Sequence, residues 1–90
     1  MPRAASDAAV ADRVPCWADR VTAYDEAHFV TYLRLLDAEA AGADWREVAR
    51  VVLHRDPDAD PVTAQRCWED HLARAQWMTR AGYRHLLDGA

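Results

Sequence analysis

The chain has 90 residues, which is enough for one small domain with a thin hydrophobic core. Its hydrophobic content of 51 % and its four tryptophans exclude a wholly disordered chain, and no apolar run approaches the roughly 20 residues that span a bilayer. The formal net charge is −4 and every basic residue is arginine, so strong non-specific binding to nucleic-acid phosphate is not expected.

The N-terminal stretch, residues 1–16, is predicted to be a mobile arm, because it is rich in alanine and lacks sustained periodicity. Asp7 and Asp12 interrupt any apolar signal-peptide core, so a cytoplasmic location is expected. The folded domain is predicted to cover residues 17–90. Trp17 at its start is interpreted as a cover over the core in preference to a binding anchor.

A first helix is predicted from Ala23 to Ala41, with Thr22 as its N-cap. Gly42 is expected to end it in the left-handed conformation that glycine adopts without a Cβ penalty. Apolar residues recur at helical spacing and predict one buried face, made of Phe29, Leu33, Leu36 and Ala40.

A second helix is predicted to begin at once, from Trp45 to about His54. Asp44 and Glu47 have the spacing of a capping box, with aspartate in place of serine or threonine. The inner face is predicted to consist of Val48, Ala49, Val52 and Leu53. Two helices joined so closely indicate a helix-turn-helix, a shape that usually binds DNA.

An acidic loop, residues 55–61, follows the second helix and carries Asp56, Asp58 and Asp60. The alternating carboxylates lack the glycine and distal glutamate of a calcium hand, so a solvated loop is favoured over a cation site. Asp60 before Pro61 is typical of an N-cap followed by proline at the first helical position. Three carboxylates at the place where a DNA-binding domain approaches phosphate would repel DNA.

The third helix is predicted to run from Pro61 to about Ala81, followed by a short C-terminal turn containing Tyr83, Leu86 and Leu87. Its buried side is predicted to comprise Val62, Cys67, Trp68, Leu72, Ala75 and Met78. Its outward side is predicted to comprise Gln65, Arg66, Glu69 and Arg74. The expected fold is an all-α, three-helix, homeodomain-like helix-turn-helix bundle.

No catalytic or cofactor-binding motif occurs in the sequence, so neither an enzyme, a cofactor nor a small-molecule ligand is predicted. Cys67 and His71 are four residues apart and form a possible metal pair, but no other pair supplies the remaining ligands of a zinc site. The favoured interpretation is a core thiol beside a surface imidazole, without a metal.

Two tracts carry a family resemblance: LRLLDAEAAGADWREVARVVL, residues 33–53, and WMTRAGYRHLL, residues 77–87. Together they resemble the RovC-like helix-turn-helix domain. The matching positions are Leu36, Asp37, Ala38, Gly42, Ala43, Arg46, Glu47, Ala49, Leu53, Arg80, Gly82, Tyr83, Arg84, Leu86 and Leu87. The resemblance implies a role in transcription regulation. The family includes activators that control excision of integrative and conjugative elements, and small stand-alone antiactivators that block them.

Two hypotheses follow. The first is a small acidic antiactivator with two protein partners, the excision activator and a LuxR-type quorum-sensing activator, as the resemblance implies. Its predicted protein interface comprises Asp56, Asp58, Asp60, Glu69, Asp70 and Trp77. Trp77 is either an exposed anchor or a core residue. The alternative is a small sequence-specific DNA-binding regulator that uses Thr63, Gln65 and Arg66.

Overall fold

Four α-helices and one π-helical turn make up the part of the chain that this computed structural model describes, residues 9–15 and 17–82. The elements are α1 (Ala23–Ala27), α2 (Phe29–Ala40), α3 (Trp45–Val51), α4 (Pro61–Trp77) and the π-helical turn that continues α4 (Met78–Gly82). The described residues contain no strand, and the predicted all-α helix-turn-helix bundle is confirmed. None of these helices is long and apolar enough to cross a membrane. The predicted C-terminal turn and residues 1–8 and 16 of the predicted arm lie outside the described residues.

The single first helix predicted from Ala23 to Ala41 is wrong in its continuity, because the helix breaks at His28. The imidazole Nδ1 of His28 donates to the Tyr24 carbonyl at 2.7 Å, so the side chain takes the acceptor that its own N–H would use in a continuous helix. The backbone N–H of His28 instead donates to the backbone carbonyl of Asp25. The start of α1 is as predicted, with Thr22 as the N-cap of a complete capping box.

The buried face of α2 differs from the predicted stripe by a rotation about the helix axis. Thr31, Tyr32 and Leu35 are buried against the other helices. Leu33, predicted to be buried, is 62 % exposed, and Ala40 is exposed as well. The predicted stripe instead borders an apolar groove of 480 Å³, lined by Phe29, Tyr32, Leu33, Leu36, Ala75, Met78 and Thr79.

The turn between α2 and α3 is closed by backbone hydrogen bonds, as predicted for Gly42. Gly42 has φ 75, and the N–H groups of Gly42 and Ala43 bond back to the last turn of α2. Asp44 is the N-cap of α3, but its carboxylate accepts from the backbone N–H of Arg46 and not from that of Glu47. The predicted Asp44–Glu47 capping box is therefore not formed. Helix α3 ends at Val51, earlier than predicted.

The N-terminal segment, residues 9–15, packs against the helices without forming one. Val10 and Val14 are buried. The core beneath this segment is a cluster of buried side chains contributed by every large element: Val10, Tyr32, Leu35, Val48, Leu53, Cys67, Leu72 and Ala75. Residues that the sequence assigned to the arm therefore contribute to the core.

A buried ion pair joins α1 to α4. Arg74, predicted to face outward, is only 1 % exposed. Its guanidinium donates to both carboxylate oxygens of Asp25, at 3.0 and 2.6 Å. It also donates to the carbonyls of Ala18 and Arg20, both at 2.8 Å. The prediction failed because Asp25, the partner that makes burial of the charge favourable, lies 49 residues away in sequence.

Asp25 is fully buried and its carboxylate is saturated with donors. Besides Arg74, the Tyr32 hydroxyl donates at 2.8 Å and the Thr22 N–H at 2.9 Å. Burial alone would raise the pKa of Asp25, but the hydrogen bonds from Arg74, Thr22 and Tyr32 hold it below its ordinary value. The pair is therefore ionised in the folded state.

His71 is also fully buried, so the predicted surface imidazole is wrong, whereas Cys67 is a core thiol as predicted. The His71 Nδ1–H donates to the Cys67 carbonyl at 2.8 Å, and the Tyr24 hydroxyl donates to Nε2 at 2.6 Å. Burial lowers the pKa of His71, and this tautomer is neutral. Burial also raises the pKa of Cys67 to about 11.

Replacement of Arg74 by Met should lower the free energy of unfolding by about 3–5 kcal/mol, because Asp25 would remain buried without its counter-ion. Arg66→Met on the exposed face of the same helix is the matched control and should change stability by less than about 0.5 kcal/mol. Urea denaturation measures both. Equal stability of the two variants would show that the ion pair contributes nothing.

Stability should fall as the pH drops below 6.5, the ordinary pKa of histidine, because the unfolded chain then takes up a proton that folded His71 excludes. The His71 contribution is present above pH 6.5 and is lost as the pH falls through the lowered pKa of the folded state. His71→Gln should reduce the slope of stability against pH below pH 6.5. Equal slopes for the wild type and His71→Gln would contradict the assignment.

Candidate nucleic-acid interface

The N-terminal half of α4 presents one exposed face whose residues recur at helical spacing. The face consists of Val62, Gln65, Arg66 and Glu69, all exposed. Val62 is 61 % exposed, so its predicted burial is wrong. The opposite face of α4 provides the contacts with the core, through Ala64, Cys67, His71, Leu72 and Ala75. Because that side is fixed, the four exposed side chains project from a rigid support.

The start of α4 is set by Asp60, as the sequence predicted. Its carboxylate accepts from the Thr63 N–H at 3.2 Å, and Pro61 takes the first helical position. The Thr63 hydroxyl and N–H hold the pKa of Asp60 below its ordinary value. Thr63, predicted as a DNA contact, is half-buried and serves this cap.

The other carboxylates of the acidic loop also have partners within the chain. Asp56 accepts from the N–H groups of Asp58 and Ala59, at 2.9 and 3.3 Å, and so closes the turn. Asp58 accepts from Arg50 on α3 at 3.2 Å. In the described part of the chain, no group of three or more acidic, histidine or cysteine side chains converges as a metal site would require. Asp56, Asp58 and Asp60 thus build the loop and start α4.

The remaining predicted interface residues lie along α4 and do not form one patch. Asp70 accepts from the Val14 N–H, whereas Glu69 has no hydrogen-bond or ion-pair partner among the described residues. Trp77 is half-buried, and the Arg74 guanidinium lies 4.0 Å from its ring centroid, in the geometry of a cation–π contact. Trp77 is sixteen residues beyond Pro61, a distance of about 24 Å along a helix. The structure therefore places Trp77 beside the buried ion pair and far from the acidic loop.

Two further exposed arginines, Arg46 and Arg13, lie on segments that pack against α4. Arg46 on α3 lies with its guanidinium 5.0 Å from the Trp45 ring centroid. Arg13, on the N-terminal segment, shares a polar groove of 410 Å³ with residues of α4. No local pattern singles out Arg13, because nothing nearby in the sequence indicates that residues 9–15 pack against α4.

A family model described as "T6SS, Transcription factor, DNA binding domain" matches residues 3–88, nearly the whole chain. A comparison with curated proteins gave no match. The matched family is one of transcription-factor domains and not of enzymes. The chain thus belongs to the RovC-type family of transcription-factor DNA-binding domains.

Proposed function

We propose that this protein is a sequence-specific DNA-binding regulator of transcription that inserts α4 into the major groove. The observation that carries the proposal is the exposed face formed by Val62, Gln65, Arg66 and Glu69. Each side chain is of a type that matches a major-groove group. An apolar side chain contacts the thymine methyl, Gln pairs with adenine, Arg with guanine, and Glu accepts from the cytosine amine. Membership of a DNA-binding domain family supports the same assignment.

In the proposed binding mode α3 and α4 act as the helix-turn-helix pair; residues 52–60 join them, whereas the short turn at Gly42 joins α2 to α3. In such domains, the first helix of the pair crosses the DNA backbone while the second contacts bases. Here α3 would take the first role, with Arg46 exposed for a phosphate contact. Arg50 is less available, because it pairs with Asp58 and lies 3.9 Å from Glu47.

The negative net charge of the chain disfavours non-specific binding to DNA more than binding through base contacts. Non-specific binding to DNA is supplied mainly by phosphate neutralisation, which a chain of net charge −4 does poorly. Binding should therefore depend on base contacts from α4, and non-specific binding should be weak at physiological salt.

Selection from a pool of random duplexes should enrich a defined sequence. Arg66→Ala should then lose about 1–3 kcal/mol of affinity for it and relax the preference at one base pair. Arg34→Ala, an exposed arginine on α2, is the control and should behave as wild type. Failure to enrich any sequence, or equal effects of the two variants, would contradict the proposal.

A second candidate function is favoured by one observation, the acidic surface beside α4. We propose as this alternative that the protein is an antiactivator that binds a transcriptional activator and hence represses excision and transfer of an integrative and conjugative element. Asp56, Asp58 and Asp60 lie next to the α4 face, and a basic partner would be attracted to them. The excision activator and a LuxR-type activator are the partners to test.

If the second candidate holds, the triple variant Asp56→Asn, Asp58→Asn and Asp60→Asn should associate with the activator more slowly, and this effect should exceed any increase in the dissociation rate. The fold should survive, since asparagine keeps an acceptor oxygen for each turn and cap. The control replaces three exposed acids elsewhere, Asp19, Glu26 and Asp37, by their amides. Surface plasmon resonance at low and high salt gives the rates; equal association rates for the two triple variants would contradict an acidic-loop interface.

A further inference from the structure

The N-terminal segment, residues 9–15, is held in place by side chains from three other parts of the chain. Arg55 donates to the Val10 carbonyl at 2.6 Å and pairs with Asp12. On α1, the Tyr24 hydroxyl accepts from the Ala11 N–H at 3.0 Å. On α4, the Asp70 carboxylate accepts from the Val14 N–H, and the Cys67 thiol donates to the Ala11 carbonyl at 3.5 Å. The segment between these anchors is therefore fixed relative to α4.

This anchoring brings Arg13 to the edge of the α4 face. Arg13 and Arg66 line one polar groove together with Glu69, Asp70 and Ala73. Both arginines are exposed, and neither has an ion pair or side-chain hydrogen bond within the described residues. The groove thus combines side chains from two segments that are more than fifty residues apart in sequence.

The side chains without a partner in this groove indicate which chemical groups a ligand would need in order to bind there. Asp70 is engaged by Val14, and Asp12 nearby is engaged by Arg55. The guanidinium groups of Arg13 and Arg66 and the Glu69 carboxylate have no partner among the described residues, whereas Asp70 accepts only from a neutral N–H. A partner that presents both negative oxygens and a hydrogen-bond donor would satisfy the three groups without a partner. The major groove of DNA offers that arrangement, since phosphates flank base edges that include the cytosine amine.

We infer that Arg13 is a DNA-backbone contact, placed by the anchored N-terminal segment beside the base-contacting face of α4. The inference rests on the proposed DNA-binding function and extends its interface beyond the helix-turn-helix. Arg55 is the positioning residue, because it holds the backbone on one side of Arg13 and the Asp12 side chain next to it. Anchoring before binding reduces the conformational entropy that a free arm would lose on DNA.

The test measures affinity for the duplex that the selection enriches, as a function of salt concentration. Arg13→Ala should weaken binding roughly tenfold. It should also reduce the slope of log affinity against log salt by about 1, the loss expected for one phosphate contact. The loss should be similar on duplexes that differ in sequence, since a phosphate contact carries no base information. Arg13→Lys should recover most of the slope.

Arg20→Ala is the matched control, because Arg20 is another exposed arginine before α1 and its backbone lies near Arg74, toward the far end of α4. If Arg13→Ala and Arg20→Ala have the same affinity and salt slope, the inference is overturned while the proposed function stands. If the wild type enriches no duplex, the proposed function itself falls, and the inference falls with it. These two failures are distinguished by the wild-type measurement.

A double-mutant cycle tests the positioning role of Arg55. Arg55→Met should weaken DNA binding in the wild-type background but add little once Arg13 is Ala, because Arg55 then has no contact to position. A merely structural role would give the same loss in both backgrounds, and that additivity would overturn the positioning role. Circular dichroism of each variant confirms that the compared proteins are folded.

Discussion

The ion pair between Asp25 and Arg74 is the interaction on which the arrangement of the helices depends. It connects α1 to the C-terminal half of α4, and the Arg74 guanidinium also binds the carbonyls of residues 18 and 20. Two charges without water are stable together only if every remaining donor and acceptor finds a partner. Tyr32 from α2 and the Thr22 N–H complete that set. Three helices and the chain before them are thereby held in one relative position.

Because the C-terminal half of α4 is held in this way, the orientation of its N-terminal half is also determined. Since Arg74, His71 and Cys67 point into the domain, the side chains on the opposite side of the helix are exposed toward its start. The Asp60 cap and the turn at Asp56 then determine where α4 begins. A set of side chains suited to base edges is therefore held on a rigid helix, and the N-terminal segment adds Arg13 at its border. Rigidity matters because a pre-ordered interface loses less conformational entropy on binding.

Local rules predicted most of the features that depend on neighbours in sequence. Thr22, Gly42 and the Asp60–Pro61 start of α4 were correct, because caps involve atoms within a few residues. The break at His28 and the unformed Asp44–Glu47 capping box are local features that these rules missed. The other errors arose where a distant partner decides. Burial of Arg74 requires Asp25, and burial of His71 requires Tyr24, a hydrogen bond across 47 residues. His71 lies four residues after Cys67 and four before Ala75, on the side of α4 that these two buried residues occupy, so the surface imidazole was the wrong interpretation of that spacing. The exposure of Gln65 and Arg66, two of the predicted DNA contacts, follows from helix periodicity. The position of Arg13 beside α4 has no local signature and was not predicted.

The claim that the exposed face of α4 contacts DNA is tested most directly by nuclear magnetic resonance of the isotope-labelled protein, titrated with the duplex that selection enriches. The account predicts chemical-shift changes centred on Val62, Gln65, Arg66 and Glu69, with the Arg13 side chain also affected. Residues of the apolar groove, such as Phe29 and Leu33, should not respond. Changes confined to that groove, or no change at a saturating duplex concentration, would contradict it.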